Sequence, residues 1–208
     1  MYNYLYKHAR KITTLIIVIL FTTSLWQLAT AGWIQGKAIV AQHLLNHAWD
    51  KTVKESAVIS YGYHSSVTIH KPWPWADTWP VAKLLVPEQH IEHIVLAGDS
   101  GSSLAFGPGH SFASAAPNTP GLSMISGHRD THFRFLKDLR HNDRLDLQTT
   151  DTTLHYRVSD FQVVDSRRFT LLASADAHRL VLVTCYPFDA ISSGGPLRYL
   201  VYAQQQPM

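Results

Sequence analysis

Arg179-Leu-Val-Leu-Val-Thr-Cys-Tyr-Pro187 is the stretch on which the reading of this chain turns. Its Val/Leu run is too short for an independent helix and is closed by Pro187, so it predicts a buried β-strand that delivers Cys185 at its end. Cys185 is the only cysteine in 208 residues, and an internal disulfide is therefore impossible. A lone thiol has two readings. It is a small buried hydrophobe, or it is a nucleophile if a neighbouring group favours the thiolate.

Downstream, Leu197-Arg198-Tyr-Leu-Val-Tyr202 is a second β-like run. Gly194-Gly195-Pro196 makes the segment between them a loop, so two adjacent strands can set Cys185 and Arg198 side by side. An arginine there can donate to a developing oxyanion or hold a substrate carbonyl. Upstream, the apolar run Leu122–Ile125 leads into Ser126-Gly127-His128-Arg129-Asp130. The glycine permits close approach of another group, and an imidazole is the usual partner of a reactive thiol. Plain readings stay open beside these: His128 as a turn histidine, Arg198 as an edge-strand charge, Thr184 as an ordinary β-former. His128 and His132 are four apart, as two ligands on one helical face would be. Arg129 follows the first histidine where the helical zinc motif has Glu, so no metal site is expected.

The segments between carry β-signals. Val81–Val86, Ile91–Ala97 and Leu122–Ser126 are short and apolar, while Leu145/Leu147 and Leu154/Tyr156/Val158 alternate with period two. Phe161 and Val163 then place apolar residues at odd positions, which predicts a bulge or corner near Ser159-Asp160. Thr149-Thr150-Asp151 reads as a hairpin turn. Phe133–Leu139 reads as a short helix, with Phe133, Leu136 and Leu139 on one face. Together they predict an all-β antiparallel barrel or sandwich with helical additions, over residues 81–208.

At the N-terminus, residues 1–11 carry Lys7, Arg10 and Lys11, and Ile12–Ile34 then runs for 23 positions without a formal charge. That length spans a bilayer with some tilt, and the preceding positive charge keeps residues 1–11 in the cytoplasm. A signal peptide cleaved near Ala29-Thr30-Ala31 is the rival; an uncleaved anchor is preferred because apolar character continues through Trp33 and Ile34. Residues 35–80 read as a juxtamembrane helix, with Ile39, Leu44, Ala48 and Val53 recurring at about one turn, followed by a linker. The linker, Lys71–Pro80, holds three tryptophans and three prolines in ten residues. Its indoles dock it onto the domain, or they form an aromatic wall or interfacial anchor. The net charge of +3 is spread along the chain, and nucleic acid is not an expected partner. Most of the thirteen histidines, His43, His47, His64, His70, His90 and His93 among them, stand singly in surface-like contexts.

Ser126-Gly-His128-Arg-Asp-Thr-His-Phe-Arg-Phe-Leu136, Val183-Thr-Cys185-Tyr-Pro187 and Leu197-Arg198-Tyr199, in that order, resemble the sortases, the cysteine transpeptidases best known from Gram-positive cell walls. Leu104-Ala-Phe-Gly-Pro-Gly-His110 resembles them too, and the similarity covers roughly residues 80–204. The Pro-Trp linker, the Gly-Gly-Pro-Leu-Arg segment and the single N-terminal anchor look most like the proteobacterial, Gram-negative group. One departure is Val181, which stands where the commoner T-L-x-T-C motif has its first Thr.

The resemblance implies an eight-stranded sortase-type barrel with short helices and a two-step acyl transfer. Cys185 would attack the Thr–Gly carbonyl of an LPxTG-like C-terminal sorting signal on a partner protein, and an amine nucleophile would resolve the thioacyl enzyme. His128 would move the protons and Arg198 would steady the oxyanion. Thr184 and Asp130 are implied as supports, and His110 more weakly, through a loop that shapes the groove. No cofactor is expected, and no compact carboxylate cluster suggests calcium. The implied location is the inner membrane, single-pass, with the catalytic domain periplasmic. Two other classes stand beside this: a non-enzymatic, membrane-tethered β-barrel adaptor with an inert thiol, and a cysteine peptidase or L,D-transpeptidase-like enzyme. The latter differ in order or motif, since papain-like enzymes place Cys before His and L,D-transpeptidases carry Ser-His-Gly-Cys.

Overall fold

The structure, a computed structural model, describes residues 2–59, 69–171, 178–192 and 194–206, with side chains from residue 10 to 56 in the first segment. The side chains of Lys7 and His64 lie outside the described residues. The chain divides into two compact units, one ending at Gln42 and the other beginning at His43.

The first unit is helical, part of α1 (Tyr2–Ile59). From Ile12 to Val40 its apolar residues are exposed, Phe21 and Trp26 among them, and the helix is long and apolar enough to cross a membrane. The hydroxyls of Thr14, Thr22, Thr23, Ser24 and Thr30 all donate back to carbonyls one turn earlier. Polar groups satisfied within the helix itself suit a lipid environment. The helical segment read from Gly36 to Ala57 lies within α1, and no proline occurs before Pro72 to stop the helix.

In the second unit the C-terminal part of α1 buries Leu45, Ala48, Trp49, Thr52 and Ser56. Leu45 and Trp49 pack with Ile94 and Leu96. This stripe is offset from the expected one: Leu44 is only half-buried and Ile39 is exposed. Adjacent leucines at 44 and 45 make the phase ambiguous, and the contact of Trp49 settles it.

Eight strands follow: β1 (Pro80–Val86), β2 (Ile91–Ala97), β3 (Gly109–His110), β4 (Gly121–Ser126), β5 (Arg144–Gln148), β6 (Thr153–Asp165), β7 (His178–Cys185) and β8 (Leu197–Gln205). They close a barrel in the order β1-β2-β3-β4-β7-β8-β6-β5. The barrel is mixed, not antiparallel as the strand pattern suggested: β2 with β3 and β4 with β7 are parallel pairs. The β4-to-β7 connection contains β5 and β6, which makes it long enough to return the chain to the same end. The expected bulge is present as a register shift between Val158 and Asp160. The hairpin turn closes through Thr149 N–H to the Thr152 carbonyl at 2.8 Å. Phe133, Leu136 and Leu139 are buried as expected, on a 3-10 helix (Arg134–Asp138) and its flanks.

Two apolar clusters sit on opposite faces of the β4-β7-β8-β6 wall. Leu180, Leu182, Val201 and Ile125 point into the barrel, whereas Val181, Leu200, Leu122 and Val164 form a second cluster outside it. Alternation along β7 therefore turns Thr184 inward and Cys185 outward. Within the second unit, the Pro-Trp linker is held by two of its indoles and one hydrogen bond. Trp73 packs edge-on against Phe106 at 5.0 Å, Trp79 lies 6.4 Å from Phe112, and the Thr78 hydroxyl donates to the Ala97 carbonyl at 2.7 Å. Trp75 alone of the three indoles stays 79% exposed.

Candidate active site

Cys185, at the end of β7, is the direct cross-strand partner of Arg198 on β8. Directly opposed residues of an antiparallel pair project to the same face with Cβ atoms about 4.5–5.5 Å apart. The thiol is partly exposed. The Nη1 of Arg198 donates to the carbonyls of Gly195 at 2.6 Å and Leu197 at 2.9 Å, which ties its guanidinium to the β7–β8 loop. Its Nε and Nη2 make no hydrogen bond among the described residues, so donors remain for a ligand.

His128 comes from the other neighbour of β7. Ser126 on β4 pairs with Val183, and two residues further along each chain stand His128 and Cys185. Beyond Ser126 the strands stay joined, since Gly127 N–H donates to the Val183 carbonyl at 3.0 Å and the Thr184 hydroxyl donates to the Gly127 carbonyl at 2.7 Å. Thr184 is buried and faces inward, and its hydroxyl extends the ladder by one rung where ordinary strand pairing has stopped. Gly127 is required by space: a Cβ there would lie 2.6–2.9 Å from three atoms of the Phe133 ring. His128 itself is exposed, and its carbonyl accepts from Phe133 N–H at 3.0 Å. The two registers thus bring the chain positions of His128, Cys185 and Arg198 alongside one another, with Cys185 and Arg198 on the outer face.

The other expected residues are placed differently. Asp130 is exposed and forms a two-pronged ion pair with Arg129, at 2.9 and 3.1 Å. Hydrogen bonding from Arg129 holds its carboxyl below the ordinary range. His110 pairs with the inward-facing Ile125, and its Nε2 lies 2.9 Å from the Ala115 carbonyl and 3.3 Å from the Ser114 hydroxyl. Its ring thus braces the 111–115 turn on the face opposite Cys185. Residues 129–133 form turns, not a helix, so the four-residue spacing of His128 and His132 is not that of one helical face.

Two features escaped the sequence reading. His93 is not a surface histidine: its ring lies 5.4 Å from that of His132 and 6.1 Å from Phe135, and burial, with the His132 charge second, pushes its pKa down to about 4. Burial, then the His128 charge, also lowers the pKa of His132. Arg129 is only 6% exposed, and it donates to the carbonyls of Pro187 at 2.7 Å and Ala190 at 3.0 Å. The one signal for it in the sequence was an Arg-Asp dipeptide, which looks the same in solvent.

The Sortase domain family model matches residues 84–206. The chain belongs to the sortase family. All six expected site residues fall inside the matched range. Sortase D of Bacillus subtilis (strain 168) is 30% identical over 123 residues, 59% of this chain and 62% of the relative, so the chain spans less than two thirds of that curated relative's length. Among solved structures, sortase C-1 from Actinomyces oris superposes with a TM-score of 0.57 at 24% identity, covering 78% of this chain and 99% of that one. A Clostridium perfringens sortase D5 transpeptidase superposes with a TM-score of 0.58 at 20% identity, over 77% and 99%. Sortase A from Corynebacterium diphtheriae does so with a TM-score of 0.57 at 20% identity, over 86% and 96%. At these identities the structures speak for the sortase barrel alone.

Proposed function

We propose that this sortase is a cysteine transpeptidase that cleaves an LPxTG-like C-terminal sorting signal and transfers the protein to an amine. The single observation that carries the reading is the row His128–Cys185–Arg198, built from one parallel and one antiparallel register. The Cys185 thiolate adds to the scissile carbonyl, and Arg198 donates to the oxygen as negative charge develops there. Collapse of the tetrahedral species breaks the C–N bond, and His128 gives its proton to the leaving amine. The acceptor amine then attacks the thioester, His128 takes its proton, and Cys185 departs as thiolate. No redox partner or cofactor is needed for this balance. The partial exposure of Cys185 favours this reading over an inert, buried thiol in an adaptor.

The apolar part of α1 serves as an inner-membrane anchor, with residues 1–11 cytoplasmic and the barrel periplasmic. The Pro-Trp linker and the short Gly-Gly-Pro-Leu-Arg segment support placement in the Gram-negative branch. The test uses the full chain in detergent with an LPxTG-like peptide and an amine acceptor, read by mass spectrometry. An amide-linked conjugate that disappears in Cys185→Ala and in His128→Ala is expected. Only free acid would point to a peptidase, and transfer retained in Cys185→Ala would sink the nucleophile assignment.

A further inference from the structure

The chemistry above gives Arg129 no part, yet four of its N–H groups are engaged: Nε and Nη2 with Asp130, Nη1 with Pro187 and Nη2 with Ala190. An arginine side chain has five such groups in a planar fork, so almost all its donor capacity is used. We infer that Arg129 is a positioning residue that fixes the gap between His128 and Cys185 by fastening the chain after β4 to the loop after β7. The inference rests on the transpeptidase reading.

The argument is geometric. His128 lies between Gly127 and Arg129 in one chain segment, and Cys185 lies between Thr184 and Pro187 in the other. Gly127 is bonded to Thr184, and Arg129 is bonded to Pro187. The two reacting side chains are thus flanked by a rung on each side, one of them a neutral hydroxyl bond and the other a charge-assisted one. The Ala190 bond adds a second grip on the β7–β8 loop, 61 residues away in sequence. Among the described residues, no other hydrogen bond joins residues 128–133 to residues 187–190. Asp130 takes two prongs of the fork and neutralises a guanidinium that is nearly excluded from water. A lysine has the charge but puts its three donors on one nitrogen, without the planar fork that spans the Pro187 and Ala190 carbonyls and the Asp130 carboxylate.

The engaged donors of Arg129 go to Asp130 and to the loop after β7, and the residue is nearly buried, so little of it is offered to a bound signal. Its loss therefore acts on the His128–Cys185 pair, through their spacing and through the Arg129 charge that interacts with Cys185, more than on signal binding. A displacement of about 1 Å in such a pair costs on the order of 100-fold in rate.

The experiment compares wild type, Arg129→Lys, Arg129→Ala and His128→Ala as full chains in detergent, with kcat counted per Cys185 titratable by iodoacetamide. In both Arg129 variants kcat is expected to fall about 10- to 100-fold, with KM for the signal peptide within about twofold of wild type. Methylguanidinium is expected to restore part of kcat to Arg129→Ala but none to His128→Ala, and tetramethylammonium at equal ionic strength restores neither. A role in folding alone would lower the melting temperature and leave kcat per site intact. If Arg129→Ala does not fold, the kcat-against-KM split in Arg129→Lys decides. A loss that falls on KM, a kcat within about twofold of wild type, or a folded Arg129→Ala deaf to methylguanidinium each overturns the inference. A wild-type chain that transfers nothing fails the transpeptidase reading itself, before the Arg129 variants are compared.

Discussion

Thr184→Val keeps a β-branched side chain of the same shape at a buried position and removes only the hydroxyl that donates to the Gly127 carbonyl at 2.7 Å. A buried acceptor left without its donor costs about 1–3 kcal/mol. The extra apolar group offsets up to roughly 0.8 kcal/mol of that, for a net loss of about 1–2 kcal/mol. Thr184→Ser does the reverse: it keeps the donor and loses a methyl, at a cost of about 0.5–1.5 kcal/mol by analogy with other single-methylene deletions. Stability hardly separates the two variants, but catalysis does. The hydroxyl bond is the last rung between the β4 and β7 ends, so only Val loosens His128 relative to Cys185. Urea unfolding of the full chain in detergent, followed by tryptophan fluorescence, should show similar destabilisation in both. Steady-state transfer should show kcat lowered on the order of 10-fold in Val and nearly wild type in Ser. Serine as impaired in kcat as valine, or valine unaffected in both assays, would refute the reasoning.

Gly127→Ala should destabilise by about 1–3 kcal/mol in the same unfolding assay, because the new Cβ meets the ring of Phe133, which is fully buried and has nowhere to move; adding Phe133→Leu should recover part of the loss. His93 stays neutral in the folded chain down to about pH 4, whereas the unfolded chain takes up the proton near 6.5. The unfolded state thus binds more protons between those values. Stability from this site is full above pH 6.5 and is lost as pH falls towards 4, by roughly 3 kcal/mol, and His132 acts in the same direction. Unfolding free energies measured across that window should flatten in His93→Phe; an unchanged slope would remove the burial argument. Trp49→Ala, which empties the contact with Leu45, Ile94 and Leu96, should cost about 3–5 kcal/mol by chemical denaturation.

Most of the barrel was legible because its strands alternate. β6 shows this best: apolar residues at even positions to Val158 and at odd ones from Phe161 mark the bulge in the sequence itself. β3 was not legible, since two residues cannot display a period. The parallel pairing of β4 with β7 was hidden for another reason: strand patterns report which face is buried, not which direction the neighbour runs. At the site, the loop glycines and Pro196 made the Cys185–Arg198 pairing readable from nearby sequence. His128 lies 57 residues from Cys185, and only the register of β4 on β7 sets it in line.

The sequence by itself determined the residue types: one thiol at a strand end, an imidazole after a Gly, an arginine on the next strand and an apolar N-terminal helix. These depend on local pattern and composition, which a chain carries before it folds. Tertiary structure decided what each polar side chain touches. It set Thr184 inward to the Gly127 carbonyl, held His110 on the Ala115 carbonyl, and buried Arg129 beneath Pro187 and Ala190. Those assignments come from contacts between segments distant in sequence, and a hydrogen bond leaves no period in the chain that makes it.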